Sequence, residues 1–204
     1  YRINGKTTYA MEGSIFIAGA GVQWLRDRMK FFNKASETEK IVKSLKSNND
    51  IYLVPAFTGL GAPYWDANSR GVLSGITRDT SPKEIVRATI EAVAYQTHDL
   101  FEAMKHDGLR PKIVKVDGGM VMNNWFSQFL SDVVNVKVLR PKVQETTALG
   151  AAFMAGLHIG VYKSLKDISR NWHVDKKFSP KMSKQLRSSL LKGWIKAIKR
   201  TLIN

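Results

Sequence analysis

The segment from Val114 to Asn124 constrains the fold more than any other part of the chain; its sequence is Val-Lys-Val-Asp-Gly-Gly-Met-Val-Met-Asn-Asn. Alternating apolar residues predict a strand, Asp117-Gly118-Gly119 predicts a tight turn, and the residues behind it predict the start of a helix. Paired glycines permit φ > 0 and leave no Cβ beside a bound group. A helix N-terminus adds free N–H donors and a partial positive charge. Taken alone, such a segment is more often a plain turn than a nucleotide site.

Similar periodicities predict further strands and helices along the chain. A capping box at Ser36-Glu37-Thr38-Glu39 predicts a short polar helix that ends near Asn48-Asn49. Ser81-Pro82-Lys83-Glu84 predicts the start of a long helix that stops near Asp107-Gly108. Further helices are expected within 15–32, over 123–133 and over 148–156, and strands over 51–54, 71–76, 112–116 and 136–139. This alternation indicates an α/β domain with a largely buried sheet.

Composition sets the broad class of protein. The chain has 204 residues, of which 44% are hydrophobic and 24% charged, and this is enough apolar material for a core. There is no cysteine, which excludes disulfides and thiolate metal sites and is compatible with the cytoplasm. No apolar run reaches the length of a membrane span, and the first residues lack a signal-peptide pattern. Because the chain begins at Tyr1 within what resembles the middle of a domain, we expect a fragment.

The formal charge of +15 is concentrated at the C-terminus. Residues 163–204 contain twelve Lys or Arg against two acids and so carry +10 of it. Leu186, Leu190, Trp194, Ile198 and Leu202 recur there at helical spacing, which favours an amphipathic surface helix with a basic outer face. Recognition of an acidic partner or of an anionic membrane surface is the alternative, and nucleic acid is not expected.

A second group of residues has competing structural and functional interpretations. The aromatic side chains of Phe57, Tyr64 and Trp65 form either a packed loop or a carbohydrate platform. The carboxylates of Asp66, Asp117 and Glu145 are adequately explained by turns and caps. The four histidines share no spacing typical of a metal site, so no metal ligand is predicted.

Several blocks of the sequence, taken together, resemble the glycerol kinases. These blocks are residues 9–16, 18–20, 23–27, 54–66, 116–119 and 145–152, and residues 71–91 resemble the second signature of the wider FGGY family of carbohydrate kinases. The likeness covers about residues 9–160. The block Gly-Leu-Gly-Ala-Pro-Tyr-Trp-Asp at 59–66 favours glycerol kinase over relatives that act on xylulose, gluconate or other sugars.

This resemblance implies a fold, a set of site residues and an activity. The fold is an actin-like ATPase domain of the ribonuclease H-like kind, the second domain of a two-domain kinase that holds ATP in its interdomain cleft. Residues 1–162 would form the nucleotide-binding domain, whose first part lies upstream, and residues 163–204 a basic helical extension packed on it. The cofactor-binding residues would be Gly19, Gln23, Gly118, Gly119 and Asn123. The substrates would be glycerol and ATP with Mg²⁺, and the enzyme a cytoplasmic homodimer.

The catalytic machinery that the resemblance implies is not found in these 204 residues. In this family the general-base aspartate, the polyol-binding residues and the phosphate-holding loops lie earlier in the chain. We therefore predict no catalytic residue here and expect the fragment alone to be inactive. Two alternatives stay open, namely an FGGY kinase of another polyol or sugar and a basic, non-catalytic binding module.

Overall fold

A computed structural model describes residues 1–3 and 5–202 of the chain. The strands are β1 (Arg2–Ile3), β2 (Lys6–Thr7), β3 (Tyr52–Val54), β4 (Val72–Ser74), β5 (Ile113–Lys115), β6 (Lys137–Pro141) and β7 (Val174–Phe178). The helices are α1 (Gly19–Asp27), α2 (Glu37–Lys43), α3 (Pro82–His106), α4 (Asn124–Val134), α5 (Thr146–His158), α6 (Leu165–Arg170) and α7 (Lys184–Thr201). A 3-10 helix spans Gly119–Met122 between β5 and α4. The predicted α/β class is confirmed.

The long helix α3 lies at the centre of the fold. It begins where the sequence predicts, because the Ser81 hydroxyl accepts a hydrogen bond from the backbone N–H of Lys83 at 3.2 Å. The Glu84 carboxylate completes the capping box by accepting from the backbone N–H of Ser81 at 3.0 Å. The helix ends at His106 with Asp107 as its C-cap, which agrees with the predicted end near Asp107-Gly108. Its first half is buried on almost every side, so α1, α2, α4 and β3 all pack against it.

Aromatic rings join α3 to the elements around it. Tyr95 stacks on Trp194 of α7 with ring centroids 5.3 Å apart. The Tyr95 ring also meets Phe129 of α4 at 5.7 Å and Tyr52 of β3 at 5.9 Å. Trp194 has no exposed surface, whereas Leu186 at the start of the same helix is 51% exposed. The buried residues of α7 lie in its C-terminal half, while Lys192, Lys196 and Lys199 are exposed, which confirms an amphipathic helix with its basic side outermost.

The largest sheet within residues 1–3 and 5–202 has three strands, with β6 in the middle. β6 runs parallel to β5, with Val114 opposite Val138, and antiparallel to β7, with Val138 opposite Phe178. β3 and β4 form a separate antiparallel pair. Apolar, β-prone residues explain why β3, β4, β5 and β6 were predicted as strands, whereas β7, which has Asp-Lys-Lys at its middle, was not predicted.

The prediction of a largely buried sheet is wrong for the described residues. β6 is mostly buried, but Ile113 of β5 is 53% exposed and the middle of β7 faces solvent. Among the described residues β5 pairs along one edge only. The apolar helix α5, which lies between β6 and β7 in the chain, buries only Gly156. These segments therefore contain more apolar side chains than the described part of the structure buries.

The helix α2 also differs from its prediction. It stops at Lys43 rather than near residues 48–49. The Ser36 side chain makes no capping hydrogen bond, and its backbone is already helical. The backbone N–H groups of Asn33 and Lys34 donate instead to Glu37. No helix in the described parts of the chain is both long enough and apolar enough to cross a membrane.

Candidate functional site

A cavity of about 400 Å³ lies between α1, α2, α3 and the turn that follows β5. This volume falls in the range of pockets that hold small molecules. Four of the five predicted site residues line it, namely Gly19, Gln23, Gly119 and Asn123. The wall also includes Val22, Arg26, Thr38, Glu39, Ile90 and Met120. Residues 100 positions apart in the sequence thus converge on one concave surface that mixes apolar atoms with amide, hydroxyl and charged groups.

The two glycines of the turn have different structural roles. Gly118 has φ of 83°, a left-handed conformation that favours glycine, and it is not among the residues that line the cavity. Gly119 does line the cavity and has no positive φ. No described atom lies within 4 Å of the Cβ that a side chain at Gly119 would add. Of the two glycines, only Gly118 adopts the positive φ that glycine permits, so the backbone requires glycine there and not at position 119.

The start of α1 contributes the opposite side of the cavity. Gly19 is the first residue of α1, and a Cβ added to it would meet no described atom within 4 Å. Gly21 has the opposite environment, because an added Cβ would lie 2.9 Å from Cγ2 of Thr89 in α3. This close approach fixes α1 against α3. The side-chain amide of Gln23, one turn further on, makes no hydrogen bond within the described part of the chain and lines the cavity, so it is free to contact a ligand.

Asn123 has a structural role that the sequence only partly indicates. Its Oδ1 atom accepts a hydrogen bond from the backbone N–H of Phe126 at 3.0 Å and so caps α4. Its Nδ2 atom donates to Oγ1 of Thr38 in α2 at 3.3 Å. The amide therefore lies in the cavity wall with its orientation set by two protein contacts.

Two charged side chains of the cavity wall are already paired. Nε of Arg26 lies 2.6 Å from Oδ1 of Asp27, and the hydrogen bond from Arg26 holds the pKa of Asp27 below its ordinary value. Nζ of Lys43 lies 2.5 Å from Oε1 of Glu39. Burial alone would raise the pKa of Glu39, but hydrogen bonds from Lys43 and from the backbone N–H of Asn124 outweigh it and lower that pKa. Both carboxylates are thus stabilised in their ionised form.

The other carboxylates singled out in the sequence lie outside this cavity. Asp66 stabilises its own turn, where hydrogen bonds from the Ser69 hydroxyl and the Asn68 N–H lower its pKa. Asp117 accepts a hydrogen bond from the hydroxyl of Thr146 and so links the turn to α5. Glu145 precedes α5 without making a side-chain cap, so a cap role for it is wrong.

The aromatic loop is packed at two of its three positions. Phe57 meets Trp24 of α1 with ring centroids 4.9 Å apart. The Tyr64 hydroxyl donates to Oδ2 of Asp99 at 2.8 Å. Trp65 is 67% exposed and touches Phe16 edge-on at 6.5 Å between ring centroids. The packed-loop interpretation holds for the first two residues, while Trp65 is open to solvent.

Sequence reasoning missed Thr38 and Glu39 as wall residues. Both were assigned to a local capping box, and the structure uses them instead for contacts with Asn123 and Asn124, which lie 85 residues away. Ile90 also lines the cavity and lies in the long helix α3, for which the sequence indicated no role in a site. No local pattern in the sequence marks these contacts, because the partners meet only when α2 packs beside α4.

Comparison with known proteins gives the family. The model of the FGGY family of carbohydrate kinases, C-terminal domain, matches residues 2–159. Glycerol kinase 1 of Pseudomonas aeruginosa is 54% identical over 200 residues, which are 98% of this chain and 40% of that protein. Glycerol kinase of Alcanivorax borkumensis is 55% identical over 201 residues, again 98% and 40% of the two proteins. The chain thus spans about two-fifths of the length of the curated relatives that it matches.

Solved structures agree with this assignment. The fold matches Plasmodium falciparum glycerol kinase with ADP at a TM-score of 0.84 and 36% identity, over 93% of this chain and 38% of that one. Xylulose kinase from Lactobacillus acidophilus matches at a TM-score of 0.77 and 23% identity, over 92% and 38% of the two chains, and shows the fold alone. The chain therefore belongs to the FGGY family of carbohydrate kinases and carries that family's C-terminal domain.

Proposed function

We propose that this chain is the nucleotide-binding half of an ATP-dependent glycerol kinase and that the cavity between α1, α2 and the Asp117-Gly118-Gly119 turn receives the nucleoside end of ATP. The observation that carries the proposal is the convergence of Gly19, Gln23, Gly119 and Asn123 on one cavity. Two of these are glycines with open space where a Cβ would stand, so the main chain is accessible to a flat ligand at both places. Gln23 and Asn123 add amide groups that suit polar atoms of a nucleoside.

Glycerol is the acceptor that we propose, and the relatives support it. The matches at 54–55% identity are named glycerol kinases, and a solved neighbour at 36% identity is a glycerol kinase with ADP. In the whole enzyme an aspartate outside this chain would deprotonate a primary hydroxyl of glycerol. The hydroxyl oxygen would form a bond to the γ-phosphorus as the bond from that phosphorus to ADP breaks, which gives sn-glycerol 3-phosphate and ADP. Closure of the two domains would exclude water as a competing acceptor.

The exposed apolar surface of α5 and β5 supports the view that another part of a longer protein packs here. Met154 is 45% exposed, Ile113 is 53% exposed and Ile159 is 73% exposed. Apolar surface of this kind is usually covered by a further segment or partner. The relatives have that additional length, since the chain spans 40% of each. We propose that the catalytic base, the polyol-binding residues and the phosphate-holding loops belong to that remaining length.

We propose Mg²⁺ as the metal ion that accompanies ATP in this reaction. Within residues 1–3 and 5–202 no group of three His, Cys, Asp or Glu side chains could hold a metal ion. We therefore assign Mg²⁺ to no residue of this chain and derive no step through it. The homodimer and the cytoplasmic location stay predictions.

A coupled ADP-release assay of the full-length protein tests the proposed function. The panel would contain glycerol, xylulose, gluconate and other polyols and sugars, each with saturating ATP. We expect the highest kcat/KM with glycerol and no turnover by the 204-residue chain alone. A higher kcat/KM with a sugar would favour a different FGGY kinase, and no ADP release with any acceptor would favour a non-catalytic module. Turnover by the 204-residue chain would contradict the half-enzyme assignment.

A further inference from the structure

Two consecutive residues of α2 bond to two consecutive residues at the start of α4. Oγ1 of Thr38 accepts a hydrogen bond from Nδ2 of Asn123 at 3.3 Å. Oε2 of Glu39 accepts from the backbone N–H of Asn124 at 3.3 Å. Thr38 is 4% exposed, so its contact is shielded from water. Because Thr38, Glu39 and Asn123 also line the cavity, these bonds connect a wall formed by α2 with a wall formed by the turn.

The hydroxyl of Thr38 determines which way the Asn123 amide faces. Oγ1 of Thr38 donates its only proton to the carbonyl oxygen of Ala35 at 2.7 Å. The same oxygen can therefore only accept from Asn123, and it selects the NH₂ group rather than the carbonyl of the amide. On the other side, the backbone N–H of Phe126 can only donate, and it selects Oδ1 of Asn123. Both protein partners thus favour the same one of the two amide orientations.

This orientation leaves a defined group for a ligand. An amide NH₂ has two protons, and Thr38 takes one of them. The second N–H of Asn123 has no hydrogen-bond partner within the described part of the chain and belongs to a residue that lines the cavity. A group that pairs with it must be a hydrogen-bond acceptor, such as a ring nitrogen of a base or a hydroxyl oxygen of a ribose.

We propose that Thr38 is a positioning residue of the nucleotide site, which holds the Asn123 amide so that its remaining N–H meets an acceptor atom of the bound nucleoside. This inference rests on the proposed function and adds to it a residue that no local sequence pattern indicates. Glu39 supports the same arrangement from its own contact with the start of α4. Thr38 itself acts through Asn123.

The test compares Thr38→Val, Thr38→Ser and Thr97→Val in the full-length protein. Thr38→Val keeps the shape of the side chain and removes the hydroxyl, whereas Thr38→Ser keeps the hydroxyl. Thr97→Val makes the same chemical change in α3, where the Thr97 hydroxyl donates to the carbonyl of Val93 and does not line the cavity. Calorimetry would measure ATP and glycerol affinity for each variant, and thermal unfolding would confirm that each is folded.

We expect Thr38→Val to weaken ATP binding by about threefold to tenfold, which is the range for loss of one hydrogen bond. Glycerol binding should not change, Thr38→Ser should restore ATP affinity, and Thr97→Val should behave as wild type. Unchanged ATP affinity in a folded Thr38→Val variant would overturn the inference. An equal loss for ATP and glycerol, or no recovery in Thr38→Ser, would also overturn it, because either result indicates a general structural role. If the wild-type protein itself binds no ATP, the proposed function fails and this inference fails with it.

Discussion

At Gly119, a requirement for ligand binding can be tested separately from a requirement for folding. Its backbone has no positive φ, and a Cβ at this position would have no described atom within 4 Å. The fold therefore tolerates a side chain here. We expect Gly119→Leu to change the free energy of unfolding by no more than about 0.5 kcal/mol, as for a surface substitution. If glycine is needed at this place, the reason is the space that a ligand occupies.

The leucine side chain would project into the volume that we propose for the nucleoside. A close-packed site that must accept extra methylene groups loses about 1–3 kcal/mol, because the ligand or the wall must shift. This corresponds to an ATP affinity that is roughly 5- to 140-fold weaker. Gly119→Ala adds one carbon and should lie between wild type and Gly119→Leu. Glycerol binding should not change, since no polyol-binding residue is predicted in this chain.

Isothermal titration calorimetry of the full-length variants with ATP and with glycerol would measure both affinities. Ser188→Leu is the matched control, since it adds a leucine at an exposed position of α7 that does not line the cavity. Wild-type ATP affinity in a folded Gly119→Leu protein would remove this glycine from the site. A large fall in the melting temperature of Gly119→Leu would instead refute the premise that the space beside Gly119 is free in the folded protein.

Two further predictions concern stability. Gly118→Ala should destabilise the protein by about 1–2 kcal/mol. The cause would be the left-handed backbone alone, since φ is 83° and no described atom lies within 4 Å of the added Cβ. A melting temperature equal to that of Gly119→Ala would contradict this prediction. Asp99→Leu should cost about 1–3 kcal/mol for each donor that it leaves unpaired, because Oδ2 of Asp99 accepts from the Tyr64 hydroxyl at 2.8 Å and from Nε1 of Trp194 at 2.6 Å. Asp99→Asn keeps an acceptor oxygen and is the control. Chemical denaturation would measure the free energy of unfolding of both variants. An equal loss of stability in the two would exclude these hydrogen bonds as the cause.

Local sequence was sufficient to predict a cap or a turn where one short segment contains both partners of the hydrogen bond. Ser81 and Glu84 lie three residues apart, and they form the predicted cap of α3. The turn at residues 117–119 and the start of α4 at Asn123 were likewise recognisable, because their hydrogen bonds close within a few residues. Each such motif contributes about 1 kcal/mol and needs no distant partner, so it survives in most tertiary contexts.

Local sequence gave a wrong prediction where a residue distant in the sequence forms a hydrogen bond of similar energy. Ser36 and Glu39 have the spacing of a capping box, yet Glu39 binds Lys43 and the N–H of Asn124, and Ser36 makes no cap. A local cap and a long-range hydrogen bond have similar energies, so packing of α2 beside α4 decides between them. The same limit applies to the three-stranded sheet: β5 and β6 were predicted from the sequence, whereas β7 and the burial of the strands were not.

The sequence by itself predicted the α/β class, most of the helices and strands in their order, the family resemblance and the residues expected to hold the nucleotide. Only the tertiary structure brought Gly19 and Gln23 to the same cavity as Gly119 and Asn123, because nothing in the chain between residues 23 and 119 specifies that approach locally. It also separated Gly118, which the backbone requires, from Gly119, which the fold does not. A glycine in a sequence shows that no Cβ is present, whereas the space around it shows what the missing Cβ makes room for.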